Sequence, residues 1–156
     1  MKAYLASPLG FAESTRAFMD HLVAELRSHI EVVNPWDDHR FDEDFKRVPA
    51  IDSVAERKKL LEHINHDLGK KNAESIQACD SLIAVLDGVD VDSGTAAEIG
   101  YAYGLGKRIW GIRTDFRLAG DNDGAVVNLQ VEYFIHESCG KIVRTVEELL
   151  KAISEL

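Results

Sequence analysis

The chain has 156 residues, 46% apolar and 29% charged, a profile that fits one globular domain with a core of its own. A net charge of -9 argues against general binding to nucleic-acid polymers, and no apolar run approaches the length of a membrane span. Cys79 and Cys139 stand far apart with no CxxC spacing, and the N-terminus turns polar too soon for a secretory signal, so reduced thiols and a cytoplasmic setting are expected.

Ala3 to Ala6 reads as a first strand centred on Tyr4 and Leu5, followed by the loop Ser7-Pro8-Leu9-Gly10-Phe11. Pro8 and Gly10 break the strand and are expected to bring backbone amides close to a ligand. Glu13 to His29 is helical, with Phe18, Leu22 and Leu26 at four-residue spacing, and Ile30 to Asn34 is a second strand that Pro35 ends. Trp36 to Ile51 carries Phe41 and Phe45 but no clear periodicity. Its aromatics either cover a flat substrate or tack a long loop to the core. Val54 to Leu68 is a helix with Leu60, Leu61, Ile64 and Leu68 facing inward. Gly69 with Lys70-Lys71 then marks a break or kink, and Ala73 to Cys79 resumes the helix.

The stretch from Asp80 to Arg113 reads strand, loop, helix, strand. Ser81 to Leu86 is a short apolar run bounded by Asp87-Gly88, as suits a buried strand. Asp92-Ser93-Gly94-Thr95 supplies cap chemistry, Ala96 to Gly106 is a small-residue helix, and Ile109 to Ile112 starts the next strand. Gly104 and Gly106 mark a helix end rather than a phosphate loop. Thr114 to Gly124 is polar and irregular. Val126 to Ile135, interrupted by Asn128, fits a helix or a short strand equally well. Lys141 to Val143 is a last strand, and Thr145 opens a final helix with a capping box. Strands alternating with helices predict a single α/β domain over residues 1–156: a doubly wound, flavodoxin-like or Rossmann-like parallel sheet with helices on both faces.

In such sheets ligands bind beyond the C-terminal ends of the strands. That edge is expected to collect Asp87, Asp90, Asp92, the flexible Gly94 and Glu98. Glu98 sits among Ala96, Ala97, Ile99 and Gly100, so it is either an exposed helix residue or a carboxylate held near the strand ends. A nearby helix N-terminus favours the ionised form, which suits a nucleophile better than an acid. Tyr4, from the first strand, is placed to donate to it. His63 and His66 with Asp67 occupy neighbouring helix positions, but neither a Cys cluster nor HExxH accompanies them as support for a metal. GxxxxGK[ST], GxGxxG and GxSxG are absent, and Ser7 and Ser93 have no convincing histidine partner. What remains is a carboxylate site, a chemistry suited to glycosyl transfer.

Several stretches carry a family likeness. They are Tyr4-Leu5-Ala6-Ser7-Pro8, Asn65-His66-Asp67-Leu68, Leu86-Asp87-Gly88, Asp92-Ser93-Gly94-Thr95-Ala96-Ala97-Glu98-Ile99-Gly100-Tyr101-Ala102, Gly111-Ile112-Arg113-Thr114-Asp115-Phe116-Arg117 and Val127-Asn128-Leu129. On these the chain resembles the nucleoside 2-deoxyribosyltransferase family. The resemblance implies transfer of 2-deoxyribose between nucleobases through a covalent glycosyl-enzyme, with retention and without metal or organic cofactor. It implies Glu98 as nucleophile, Tyr4 as its hydrogen-bond donor and Asp67 as the acidic residue facing the nucleobase. Asp92 is implied to hold the sugar's 5′-hydroxyl. Asn128 is implied to reach a neighbouring subunit's substrate, so a homo-oligomer with shared sites is expected. Phe11, Ser7, Gly94 and the loop from Trp36 to Phe45 are further candidates for contact with the nucleoside or base. Two other readings stand beside it: a hydrolase of 2′-deoxynucleoside 5′-monophosphates, and a non-catalytic nucleotide-binding module. A carboxylate at Asp92 disfavours the former, because it repels a phosphate.

Overall fold

The computed structural model describes residues 1–155. In chain order its main elements are β1 (Lys2–Ala6), α1 (Glu13–Arg27), β2 (Glu31–Val33), α2 (Asp42–Arg47), α3 (Val54–Ala78), β3 (Ser81–Val85), α4 (Ser93–Gly104), β4 (Arg108–Ile112), α5 (Leu129–Glu137), β5 (Ile142–Val143) and α6 (Val146–Ser154). The strands form one parallel sheet in the order β2-β1-β3-β4-β5. Because the chain goes from β1 out to β2 and then returns to the other side of β1, the strand order reverses between β1 and β3. That reversal opens a crevice at their C-terminal ends.

Each strand alternates its side chains between two cores. Ala3 and Leu5 of β1, Ile83 and Val85 of β3, and Trp110 and Ile112 of β4 pack with Leu22 and Leu26 of α1 and Leu149 and Ile153 of α6. Tyr4 and Ala6, Leu82 and Ala84, and Ile109 face the other way, onto Ile76 of α3, Ile99 and Ala102 of α4, and Val131 and Ile135 of α5. The sheet is therefore covered on both faces. Tyr4, an aromatic with a polar tip in the middle of β1, is delivered to the α3–α4 side by strand alternation alone.

Three local expectations are corrected. First, the 36–51 segment is not irregular throughout: α2 lies within it, between single 3-10 turns at Pro35–Asp37 and Val48–Ala50. Six helical residues are too few to show a period. Second, α3 runs unbroken through Gly69-Lys70-Lys71. A mid-helix glycine costs only about 1 kcal/mol relative to alanine, and packing of α3 on α4 outweighs that preference. Third, Asn128 does not interrupt its segment. It starts α5, its side chain accepting from the Gln130 amide at 3.0 Å.

Gly106 ends α4 with φ +70°, while Gly106 N–H and Lys107 N–H donate back to Tyr103 O and Ala102 O at 2.9 and 3.0 Å. Cys79 is buried and Cys139 exposed, and both are free thiols. Among the described residues no helix is long and apolar enough to cross a membrane.

Candidate active site

The site forms at the β1/β3 crevice, where the sheet delivers one side chain and α4 another. Tyr4 Oη donates to Glu98 Oε1 at 2.6 Å across 94 residues of sequence. The tyrosine is 1% exposed, so its ring cannot swing away without opening the core. Glu98 is the sixth residue of α4 and only half-buried, so part of it stays accessible.

Burial pushes the Glu98 carboxyl above its ordinary value of 4.5. The Tyr4 hydrogen bond pulls it down, and the Asp92 charge pushes it up again. The sequence predicts a carboxylate eased into its ionised form by the helix N-terminus. That influence fades within the first turn, and Glu98 lies beyond it, so desolvation dominates. Tyr4 is raised far above the usual tyrosine range by burial and then by the Glu98 charge. Its proton therefore stays on the hydroxyl, as a donor to a carboxylate requires.

The other candidates divide by position. Asp92 caps α4: its Oδ2 accepts from Thr95 N at 2.9 Å and Thr95 Oγ1 at 3.3 Å. Gly94 lies in the first turn of that helix, where a Cβ would come 3.1 Å from Asp92 Oδ2. At the end of β1, Ser7 Oγ accepts from Leu9 N at 3.1 Å, and the Ser7 carbonyl accepts from Trp36 Nε1 at 2.8 Å. The expectation that Gly10 opens backbone amides to a ligand is not met. Gly10 is buried under the Trp36 indole, and a Cβ there would lie 2.1 Å from the ring. Phe11 packs edge-on against Trp36 with ring centroids 4.7 Å apart, yet remains 77% exposed. The side chain of Asn128 is engaged within its own chain, capping α5 and donating weakly to Asp121 at 3.5 Å.

Asp67 is not brought to Glu98. Its carboxylate faces its own helix, with His66 Nδ1 at 3.3 Å and His63 Nε2 at 3.6 Å. The residue of α3 that reaches Glu98 is Asn72, whose Nδ2 donates to Oε1 at 3.3 Å. Asn72 lies five residues further along α3, a rotation of about 140° and a rise of about 7.5 Å. A signal for it exists in the sequence: Ile64, Leu68, Asn72 and Ile76 form one stripe at four-residue steps, and Asn72 is its polar member. Reading a kink at Gly69 cuts that stripe in two. Among the described residues no group of three or more His, Cys, Asp or Glu side chains is placed to hold a metal ion.

Fixed hydrogen bonds frame the crevice. Arg113, fully buried, donates to the carbonyls of Leu86, Gly88 and Arg117. Asp87 accepts from Thr114 N and Thr114 Oγ1 at 2.6 Å and from Asp115 N at 2.8 Å. The loops after β3 and β4 are thus tied together beside the Asp90–Asp92 approach to α4. A recess of about 570 Å³ lined by Lys2, Glu31 and Asp80 lies at the opposite edge of the sheet and takes no part in this site.

A family model described as nucleoside 2-deoxyribosyltransferase matches residues 3–130, most of the chain. Among solved structures, a conserved protein from Enterococcus faecalis V583 aligns over 99% of this chain and 98% of its own, at 24% identity and a TM-score of 0.66. A 2-deoxyribosyltransferase from Leishmania mexicana aligns over 99% and 95%, at 23% identity and a TM-score of 0.63. Another from Bacillus psychrosaccharolyticus aligns over 96% and 90%, at 22% identity and a TM-score of 0.60. At these identities the structures establish the shared fold. No curated protein sequence matches the chain. The family model covers both β1 and α4, the elements that carry Tyr4 and Glu98, and the chain belongs to the nucleoside 2-deoxyribosyltransferase family.

Proposed function

We propose that this enzyme moves 2-deoxyribose from one nucleobase to another, with Glu98 as the nucleophile. The observation that carries this reading is the 2.6 Å hydrogen bond from a buried tyrosine to a half-buried carboxylate at the sheet's switch point. Glycosidic cleavage passes through an oxocarbenium-like state, and a carboxylate held beside the anomeric carbon first stabilises that charge and then captures it. Tyr4 keeps Glu98 oriented and helps to keep it ionised. The glycosyl-enzyme then waits for a second base, which gives ping-pong kinetics and retention.

Asp92 serves as acceptor for the sugar's 5′-hydroxyl. Its Oδ2 is committed to the α4 cap, whereas Oδ1 has no partner among the described residues. A carboxylate there favours a free 5′-hydroxyl over a 5′-phosphate. The exposed Phe11, backed by Trp36, offers a flat apolar surface for a base, with Ser7 beside it. Gly94 keeps a side chain away from the Asp92 carboxylate. The contact of Asn128 with a neighbouring subunit's substrate requires it to trade its weak Asp121 contact for the sugar in a homo-oligomer. Asp67, partly exposed with its carboxylate beside His63 and His66, keeps its implied place facing the nucleobase.

The test is chromatography of products from 2′-deoxyinosine with and without adenine. New 2′-deoxyadenosine that requires adenine is the expected result, and Glu98→Gln should abolish it in a folded protein. Free hypoxanthine and deoxyribose in both tubes would identify a hydrolase instead. Turnover confined to deoxynucleoside monophosphates would overturn the role of Asp92. Binding of nucleosides with no turnover would leave a binding module.

A further inference from the structure

We propose that Asn72 is a positioning residue for Glu98, and that Asn72 and Tyr4 together select Oε2 as the attacking oxygen; this rests on reading Glu98 as the nucleophile. The two donors come from different elements, β1 and α3, and converge on the same atom: Tyr4 Oη at 2.6 Å and Asn72 Nδ2 at 3.3 Å, both on Oε1. A carboxylate oxygen has two in-plane lone pairs, so two donors occupy Oε1. Among the described residues Oε2 has no donor, and its electron pair is available to carbon. A glutamate side chain has three rotatable bonds, and two anchors on one oxygen restrict the last of them, which presents Oε2 in a fixed direction.

Chemistry also decides the orientation of the amide. Its oxygen facing Oε1 would set acceptor against acceptor, so the NH₂ group must face the carboxylate. In the step itself, Oε2 donates a pair to C1′ and forms the new C–O bond. The C1′–N bond breaks, its pair leaves with the base, and the base takes a proton from water. Asn72 is a neutral amide with no titratable proton, so it supports the carboxylate without charge and does not act as the acid. A carboxylate in its place would repel Glu98 and favour its protonated form. The ionisable groups acting on Glu98 are otherwise Tyr4 from β1 and Asp92 ahead of α4.

The experiment compares wild type, Asn72→Ala and Asn72→Asp by two readouts. One is direct titration of Glu98 by NMR of protein labelled at the glutamate side-chain carboxyl carbon, assigned with Glu98→Gln. The other is kcat and KM for deoxyribosyl transfer across pH. Asn72→Ala should move the Glu98 titration and the acid limb of kcat to higher pH. It should lower kcat by roughly 3- to 10-fold near neutral pH, the size of an ordinary net hydrogen bond, because the 3.3 Å contact is long and the shorter Tyr4 bond remains, with KM within about twofold. Asn72→Asp should move both further in the same direction. Titration and kcat unchanged in both variants would overturn the proposal. So would a change confined to KM, which would make Asn72 a substrate contact. A wild type without transferase activity would refute the proposed function, while the NMR titration would still decide whether Asn72 acts on Glu98.

Discussion

Tyr4→Phe isolates the hydrogen bond on which the proposed chemistry turns. The substitution keeps the ring, which is 1% exposed and packed between β1 and the α3–α4 layer, and removes one oxygen. It deletes a 2.6 Å bond to Glu98 and leaves the 3.3 Å donor Asn72, so Oε1 keeps a partner and the fold should hold. A hydrogen bond to a charged group contributes about 1.5–3 kcal/mol, a factor on the order of 10 to 100. Its removal acts on the ionisation of Glu98, which burial already pushes upward and Tyr4 opposes. The nucleophile must be ionised, so the acid limb of kcat/KM should move to higher pH. Below that limb the variant should lose about 10- to 100-fold, because the rate there follows the ionised fraction. Well above it the loss should shrink to whatever Tyr4 contributes by orientation. Initial rates of transfer from 2′-deoxyinosine to adenine between pH 5 and pH 9 measure this. A variant with the wild-type acid limb and wild-type kcat/KM throughout would refute the reasoning and, with it, the pairing of Tyr4 with the nucleophile.

Other outcomes follow from the same geometry. Asp92→Ala should raise KM and also lose the α4 cap, worth about 1 kcal/mol in a denaturant titration. Asp92→Asn should keep the cap yet move the acid limb to lower pH, because it removes a charge that raises Glu98. An unmoved limb in Asp92→Asn would count against that coupling. Glu98→Gln should raise Tm at neutral pH. The folded carboxyl sits above its ordinary 4.5, so its favourable contribution is complete below that value and is lost as pH rises through the folded value. The Tm gain should therefore vanish below about pH 4.5, and a gain of the same size at all pH values would mean that ionisation is not its source. Gly69→Ala should stabilise the protein by about 0.5–1 kcal/mol, or roughly 2 °C in Tm. Gly69 is exposed in the middle of α3, and a Cβ there meets nothing within 4 Å. A lower Tm would show that the helix needs flexibility at that point.

Sequence alone was enough for the alternation of strands and helices, the doubly wound parallel sheet and the place of Glu98 on the helix after the central strand. Each of these follows from short-range information: apolar runs, cap residues such as Asp92 and Thr145, and turn residues such as Asp87-Gly88. Tyr4 was legible for the same reason, since strand alternation and parallel topology send it to the face that Glu98 occupies. Whatever depends on competition between a local preference and packing was not legible. Gly69 and two lysines read locally as a break, but α3 is continuous because its contact with α4 outweighs about 1 kcal/mol of propensity. That continuity carries the Ile64-Leu68-Asn72-Ile76 stripe into register with α4 and puts Asn72 on Glu98. Gly10 read as an opening for a ligand, yet it makes room for an indole 26 residues away. The ionisation of Glu98 was also decided by tertiary structure. A helix N-terminus acts over one turn, whereas desolvation depends on everything folded around the carboxylate, and no stretch of sequence contains that environment.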